Sequence, residues 1–128
     1  MSKVKANLYY TKDHEWIDIL DDDTAYVGIT DYAQSELGEI VFVDVPTLGE
    51  QLNQFDTFGS IEAVKTVADL NIPMSGEVIE INEKLDNEPE LVNNEPYDNG
   101  WIVKMNIANI GETKNLMTVE EYNKYIGQ

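Results

Sequence analysis

The sequence predicts a mainly β domain that carries one or two short helices. Several short segments alternate polar with apolar or β-branched side chains, and clusters of Asp, Asn, Pro and Gly separate them. Near the C-terminus the period changes, because Thr118 and Glu121 form a capping-box pattern that begins a helix. A chain of 128 residues, of which 42% are hydrophobic, is long enough for one domain with one core.

The first two strands are predicted to form a hairpin. Residues 15–20 and 24–29 alternate in this way, and the three aspartates at 21–23 can turn the chain between them. An EF-hand loop that began at the first aspartate would need an oxygen ligand and a glycine where Ala25 and Tyr26 stand. We therefore predict no metal site in this turn.

A short helix and a strand follow the hairpin. Thr30 or Asp31 can cap a helix that runs through Leu37, and Gly38 is well placed to end it. Residues 39–45 then have the composition of a strand, and the proline after them stops it.

The second half is predicted to contain two strands, a long loop and a terminal helix. Residues 76–82 alternate apolar with polar side chains after a Pro-Met-Ser-Gly turn pattern, which predicts a strand. Residues 85–100 are rich in Asn, Pro, Glu and Asp and are expected to be loop. An apolar strand is expected to resume at 101–103. The helix that the capping box begins should run through Ile126, where Gly127 closes it.

The segment around Lys65 fits two structures. As a helix, it would place three apolar side chains on one face, with acids three and four residues from the lysine at favourable spacings. As a hairpin, residues 55–58 would supply the partner of 69–72, and 63–65 would be the tip, although this tip has none of the usual turn residues. Periodicity alone slightly favours the helix.

The charge of the chain excludes several kinds of partner. It has 25 acidic and 8 basic residues, a formal net charge of −17, and every basic residue is a lysine. Such a chain repels nucleic acid and anionic membranes and lacks the bidentate donor that binds phosphates, so neither partner is expected. It has no cysteine, no apolar run near the roughly 20 residues of a membrane span, and no apolar signal segment within residues 1–8. We expect a soluble intracellular protein.

The residues alone support no enzyme class. The single histidine, His14, cannot by itself anchor a His-based metal site or a Ser-His-Asp triad, and no dinucleotide-binding or P-loop motif is present. Lys65 is unusual because thirteen acids and no lysine precede it between positions 13 and 64. It is therefore the one cation of a long acidic stretch.

Six blocks of sequence, in order and without a large insertion, carry a resemblance to a known family. They are 10–16 (YTKDHEW), 28–38 (GITDYAQSELG), 41–43 (VFV), 59–65 (GSIEAVK), 73–78 (PMSGEV) and 89–101 (PELVNNEPYDNGW). Together they resemble the glycine cleavage H-protein family from about Tyr9 to the C-terminal helix. One such match would be weak, but six in register are strong.

This resemblance implies a fold and a cofactor. The fold would be a lipoyl/biotinyl-domain-like flattened β-barrel, a sandwich of two small sheets with short peripheral helices that include a C-terminal one. It would form a single domain over 1–128, with its core at about 9–110 and the last helix at about 118–126. Against the periodicity, the resemblance places Lys65 at an exposed hairpin tip. It implies that lipoic acid acylates the amine of this lysine.

The resemblance also implies a carrier that is not itself an enzyme. The lipoyl arm would take the aminomethyl group of glycine from glycine decarboxylase, the pyridoxal-phosphate P protein, and pass it to aminomethyltransferase, the T protein. Dihydrolipoamide dehydrogenase, the L protein, would reoxidise the arm. Lipoate-attaching enzymes are further expected partners, and the carrier should be a monomer. A bacterial chain of this kind would be cytoplasmic, and a mature organellar one would lie in the mitochondrial matrix.

Three acids gain roles from the resemblance. Glu15, in the His-Glu-Trp block, and Asp69, four residues past the lysine, are expected to face the cationic amine of the loaded arm. Glu62, three residues before the lysine, corresponds to the acid that lipoylating enzymes and partners recognise. Each of the three could instead be an ordinary solvated acid.

Related carriers remain as alternatives. A biotin carrier flanks its lysine with methionines, whereas Val64 and Thr66 flank Lys65, and lipoyl domains of 2-oxoacid dehydrogenases usually place Asp directly before the lysine. The commoner H-protein motif Glu-Ser-Val-Lys-Ala is Glu-Ala-Val-Lys-Thr here. A lipoyl relay to other complexes and an unmodified binding module of the same fold are the remaining possibilities.

Overall fold

The computed structural model describes residues 2–21 and 23–128, which form two antiparallel sheets with short helices. The elements of the first half are β1 (Tyr9–Tyr10), β2 (Glu15–Ile19), β3 (Thr24–Ile29), α1 (Asp31–Leu37), β4 (Ile40–Asp44), β5 (Gln51–Leu52) and β6 (Thr57–Ala63). Those of the second half are β7 (Val67–Asn71), β8 (Gly76–Ile81), α2 (Lys84–Asn87), α3 (Leu91–Asn94), β9 (Val103–Ile107), a 3-10 helix (Ile110–Asn115) and α4 (Val119–Tyr125).

The strands are divided unequally between the two sheets. The large sheet has the order β1-β2-β3-β9-β8-β5, and the small sheet has the order β4-β6-β7. Apolar side chains of both sheets form one core, which includes Ile17 and Val27 of the large sheet and Ile61 and Leu70 of the small sheet. Burial of this apolar surface is the main force that holds the sheets together. The arrangement confirms the predicted mainly β sandwich with short peripheral helices.

The first predicted hairpin is confirmed. In the pairing of β2 with β3, Glu15 lies opposite Ile29 and Ile19 lies opposite Ala25. Asp22, in the middle of the predicted aspartate turn, lies outside the described residues. The sequence pattern of polar and apolar residues was sufficient here because both strands and their turn are contiguous in the chain.

Both predicted helix caps are also confirmed. The Thr30 hydroxyl accepts a hydrogen bond from the N–H of Ala33 at 3.1 Å, and α1 ends before Gly38, whose φ of 82° favours glycine. At the other end of the chain, Thr118 and Glu121 form the reciprocal capping box that begins α4. These caps depend on residues three apart, which is why local sequence predicts them.

One prediction for the second half is wrong, and the position of another is shifted. Residues 85–100 are not all loop, because α2 and α3 each form one helical turn there. The cause is burial, because Leu85 and Val92 insert into the core. The polar composition of the rest of the segment did not indicate that these two residues are buried. The strand predicted at 101–103 is present but lies closer to the C-terminus, since β9 begins at Val103. Ile102 already bonds both neighbouring segments, because its N–H donates to the carbonyl of Val27 and its carbonyl accepts from the N–H of Asn82.

The helix that periodicity slightly favoured around Lys65 is also wrong. The segment forms the β6–β7 hairpin, in which Ile61 and Leu70 point into the core between the sheets. Neither Val64 nor Lys65 adopts a left-handed backbone, so the tip needs no glycine or asparagine. The resemblance to the H-protein family therefore gave the correct structure where local periodicity did not.

A second apolar cluster attaches the C-terminal helix to the large sheet. It contains Leu8, Tyr10, Trp16 and Tyr122, all of them buried. The rings of Tyr10 and Tyr122 stack with centroids 4.5 Å apart. None of the helices in the described ranges is long and apolar enough to cross a membrane.

Candidate functional site

Lys65 occupies the tip of the β6–β7 hairpin. The N–H of Ala63 donates to the carbonyl of Thr66 at 2.8 Å, which closes the turn. The N–H of Val64 donates to the carbonyl of Glu39 at 3.0 Å, so the chain before β4 also holds the tip. The side chain of Lys65 is exposed. Its amine is therefore accessible, while the backbone beneath it is fixed.

A cleft of about 290 Å³ lies beside this hairpin, between α1, the start of β2 and β7. Both sheets and α1 contribute to its lining. The carboxylates in the lining are Asp13, Glu15, Glu36 and Asp69, and the apolar residues are Ile29, Ala33, Leu37, Ile61, Ala68 and Leu70. His14 and Tyr32 complete it. Of the described residues, no lysine lines this cleft, so its field attracts cations.

Glu15 is the buried acid of the cleft, with only 2% of its surface exposed. One of its carboxylate oxygens accepts a hydrogen bond from the Thr11 hydroxyl at 2.5 Å, and the other accepts one from the backbone N–H of Asn71 at 3.2 Å. Burial raises the pKa of Glu15 to about 7, although both hydrogen bonds oppose the rise. Near neutral pH, a nearby cation can therefore shift this carboxyl from its protonated to its ionised form.

The other acids of the cleft are exposed. Asp69 lies on β7, at the edge of the small sheet, and the structure thus brings it to the same cleft as Glu15. Sequence reasoning missed Asp13 and Glu36. The position of Asp13 directly before the His-Glu-Trp block was a usable signal. No sequence signal indicated Glu36, because its place at the cleft depends on how α1 lies relative to the small sheet.

His14 forms part of the cleft wall and connects it to the C-terminal helix. Its Nδ1 lies 2.9 Å from the hydroxyl of Tyr122, which in turn lies 2.7 Å from the hydroxyl of Thr30. Burial lowers the pKa of His14, and nearby carboxylates only partly oppose this effect. The imidazole is therefore predominantly neutral near pH 7 and adds little positive charge to the acidic cleft.

Glu62 has a different location. It lies on the outer face of the small sheet, opposite Phe42 of β4 and Val67 of β7, and it is not part of the cleft lining. The acids that the sequence pointed to therefore fall into two groups. Glu15 and Asp69 share the cleft, and Glu62 lies on the open surface beside the lysine.

Comparison with known proteins gives consistent matches over nearly the whole chain. The sequence model described as glycine cleavage H-protein matches residues 8–128. A probable glycine cleavage system H protein from Thermococcus gammatolerans is 53% identical over 125 residues, which cover 97% of this chain and 92% of that protein. A glycine cleavage system H protein from Bacteroides thetaiotaomicron is 54% identical over 116 residues, 91% of each chain. The crystal structure of a glycine cleavage system H protein from Mycobacterium marinum superposes with a TM-score of 0.89 at 36% identity, over 98% of this chain and all of that one.

Proposed function

The chain belongs to the glycine cleavage H-protein family, the lipoyl-bearing carrier of the glycine cleavage system, and on this premise we propose that Lys65 is its site of lipoyl attachment. The exposed amine at a fixed hairpin tip supports this assignment. Attachment would join the deprotonated Nζ of Lys65 to the activated carbonyl carbon of lipoate through an amide bond. The activating group would leave with the electron pair of its own bond, and the nitrogen would lose one proton. Loss of one lysine cation takes the formal net charge from −17 to −18.

The observation that carries this proposal is the cleft lined by Ala68 and Asp69, which begins three residues beyond Lys65. Three residues of extended chain span about 10 Å, a distance that a lysine lengthened by a lipoyl chain can cover. The apolar part of the lining suits a hydrocarbon chain, and the carboxylates suit a cationic end. The residues present therefore fit a lipoyl arm that terminates in an amine.

The chemistry itself belongs to the attached group. When bound, lipoate supplies a disulfide that accepts the aminomethyl group of glycine, and the partners we propose are glycine decarboxylase, aminomethyltransferase and dihydrolipoamide dehydrogenase. Tethering replaces repeated diffusional capture by presentation at a high effective concentration. The chain itself contributes no catalytic residue in this scheme.

Glu15 and Asp69 are proposed to hold the amine of the arm. A cation that enters the cleft favours the ionised form of the buried Glu15, and the resulting pair is shielded from water on the side of the core. The neutral His14 leaves this attraction unopposed. Glu62, on the outer face, is proposed to contact lipoate-attaching enzymes. The relatives named above are archaeal and bacterial, which supports a cytoplasmic location.

The modification state of Lys65 tests the proposal. Intact-mass measurement of the native protein, with peptide mapping, is expected to find one lipoyl group on Lys65. Lys65→Arg should abolish the modification, and Lys84→Arg, which changes another exposed lysine, should leave it in place. A biotinyl group would identify a biotin-type carrier, and a bare lysine after exposure to lipoate and an attaching enzyme would overturn the proposal. The lipoylated chain should also stimulate glycine-dependent carbon dioxide exchange by glycine decarboxylase.

A further inference from the structure

The backbone and the ring of His14 are both held in place at the wall of the cleft. Its φ of 69° is a left-handed conformation, which is uncommon for residues other than glycine. Its N–H donates to the carbonyl of Thr11 at 3.1 Å, and its carbonyl accepts from the N–H of Thr30 at 3.0 Å. The ring packs against that of Tyr32, with centroids 4.7 Å apart. Such a backbone persists where its surroundings impose it, and it often marks a functional site.

The two ring nitrogens of His14 have different environments. Nδ1 lies 2.9 Å from the hydroxyl of Tyr122. In the part of the chain that the structure describes, no group bonds Nε2, and no side-chain nitrogen that lacks a partner is buried. Nε2 is therefore open to solvent. Since His14 lines the cleft, this is the nitrogen that a molecule in the cleft can meet.

The buried hydroxyls of Tyr122 and Thr30 determine which ring nitrogen carries a hydrogen. Both residues are 0% exposed, and their hydroxyl oxygens lie 2.7 Å apart. The Thr30 oxygen also accepts from the N–H of Ala33. If Thr30 donates to Tyr122 and Tyr122 donates to Nδ1, each hydroxyl hydrogen has an acceptor. Nδ1 is then bare, and the hydrogen of the neutral ring is on Nε2.

The opposite direction leaves a buried hydrogen without an acceptor. If Nδ1 carries the hydrogen and donates to Tyr122, then Tyr122 must donate to Thr30. The Thr30 hydrogen then has no acceptor among the described residues, which costs free energy in the interior. A doubly protonated ring has the same defect, because its Nδ1 also donates. The geometry therefore favours the neutral ring, in agreement with the lowered pKa of His14.

We propose that Tyr122 and Thr30 are positioning residues that hold His14 in the tautomer with its hydrogen on Nε2, and that this prevents the ring from acting as a base on the amine of the loaded arm. In this tautomer the neutral ring presents a donor to the cleft, and its lone pair is occupied by the hydroxyl of Tyr122. The inference rests on the proposed functions of Lys65 and of the cleft.

A base in the cleft would shorten the life of the carried group. The carried amine is stable as an ammonium group, which has no lone pair. If a base removes one proton, the nitrogen lone pair can form a carbon–nitrogen double bond while the carbon–sulfur bond breaks and its electron pair goes to sulfur. The sulfur recovers the proton from the base, and water adds to the double bond, so that formaldehyde and ammonium leave. A free imidazole lone pair is an effective base for this step near neutral pH.

The tautomer can be measured directly in the full chain. His14 is the single histidine of the sequence, so long-range ¹H–¹⁵N correlation spectra of labelled protein near neutral pH report on it alone. We expect Nδ1 to have the chemical shift of a bare ring nitrogen and Nε2 that of a protonated one. Tyr122→Phe should give intermediate shifts for both, since no hydroxyl then donates to Nδ1. Tyr125→Phe is the matched control, because the Tyr125 hydroxyl donates to the carbonyl of Lys12, and it should leave the spectrum unchanged.

The consequence for the arm is measured as formaldehyde release from the lipoylated, loaded protein. Tyr122→Phe is expected to accelerate release about tenfold, and Tyr125→Phe should match the unaltered chain. His14→Asn removes the ring and keeps a residue type that tolerates a left-handed backbone. In the His14→Asn background, Tyr122→Phe should have no further effect. This double-mutant comparison separates a freed base from a loosened cleft.

Each outcome decides for or against the proposal. A hydrogen on Nδ1 in the unaltered chain would overturn it, whether or not Tyr122→Phe folds. Equal acceleration by Tyr122→Phe with and without His14 would also contradict it, because this result would indicate entry of water. So would an unchanged lifetime in a variant whose spectrum shows mixed tautomers. Failure to find lipoyl on Lys65 would overturn the proposed function and the role of the ring toward the arm, while the spectrum of the unmodified chain would still report the tautomer.

Discussion

The buried carboxylate of Glu15 accepts a hydrogen bond from the backbone N–H of Asn71, at 3.2 Å, and thereby joins the large sheet to the small one. Asp13 adds a second link, since its carboxylate accepts from the side-chain amide of Asn71, also at 3.2 Å. Asn71 ends β7, the strand that returns from the Lys65 hairpin. The acids that line the cleft therefore also fix the strand that forms its wall.

Glu15→Gln is expected to change how the free energy of unfolding depends on pH. Burial raises the pKa of Glu15 from its ordinary 4.5 to about 7 in the folded chain, so the folded state binds this proton more tightly than the unfolded state does. The stabilisation is complete below about pH 4.5 and is lost as the pH rises through about 7. Over this interval, the free energy of unfolding of the unaltered chain should fall by on the order of 3 kcal/mol relative to that of the glutamine variant.

Urea unfolding at several pH values, followed by tryptophan fluorescence, measures this difference. Glu83→Gln, which changes an exposed acid remote from the cleft, is the control and should follow the unaltered chain. Parallel pH profiles for the unaltered chain and Glu15→Gln would contradict the assignment of the raised pKa to this carboxyl.

The combined substitution Glu15→Gln with Asp69→Asn is expected to shorten the lifetime of the arm while it carries its amine. Both side chains line the cleft, and removal of both charges leaves the cation with weaker attraction and easier access for water. We expect release of the carried carbon unit to be faster by about tenfold, the equivalent of roughly 1.4 kcal/mol. The measurement is the time course of release from the lipoylated, loaded protein, with Glu83→Gln as control. An unchanged lifetime would remove the proposed role of both acids.

The protection that Glu15 gives to the loaded arm should depend on pH. Glu15 attracts the amine only when ionised, and below about pH 7 its raised pKa favours the protonated form. The ratio of lifetimes between the unaltered chain and Glu15→Gln should therefore fall toward one as the pH is lowered from about 8 to about 6. A ratio that is constant across this range would show that protection does not depend on the ionisation of Glu15.

Local sequence predicted the parts of the fold whose partners are close in the chain. The β2–β3 hairpin and the Thr118 cap belong to this class. The Lys65 hairpin does not, because its tip is held by the carbonyl of Glu39, which no local pattern reveals. Family resemblance supplied that hairpin and pointed to the acids of the site. The outward position of Phe42 escaped both kinds of reasoning, since it depends on a one-residue bulge in the pairing of β4 with β6.

Tyr122→Phe is expected to destabilise the chain by about 1–3 kcal/mol. The fully buried hydroxyl of Tyr122 lies within hydrogen-bond distance of Thr30 and His14, and its removal leaves both with a lost partner in the interior. Tyr125→Phe is the matched control on the same helix, because Tyr125 is largely exposed and its hydroxyl donates only to the carbonyl of Lys12. That control should change stability by less than about 0.5 kcal/mol. Thermal or urea unfolding measures the stability of both variants. An equal loss of stability in the two would contradict the role of the Tyr122 hydroxyl in bonding Thr30 and His14.

Gly28→Ala is expected to destabilise the chain by about 1–3 kcal/mol through overpacking. Gly28 lies opposite Trp16 in the β2–β3 pair, and a Cβ at this position would stand 2.6 Å from Cζ2 of the indole ring. The ring has little freedom to move away, because its N–H donates to the carbonyls of Ile29 at 2.9 Å and Pro96 at 3.0 Å. Gly111→Ala, where the nearest atom is 3.1 Å away on a flexible side chain, should have a smaller effect. Urea unfolding with tryptophan fluorescence compares the stabilities of the two variants. Equal stabilities would show that the indole ring moves away from the added methyl group without loss of stability.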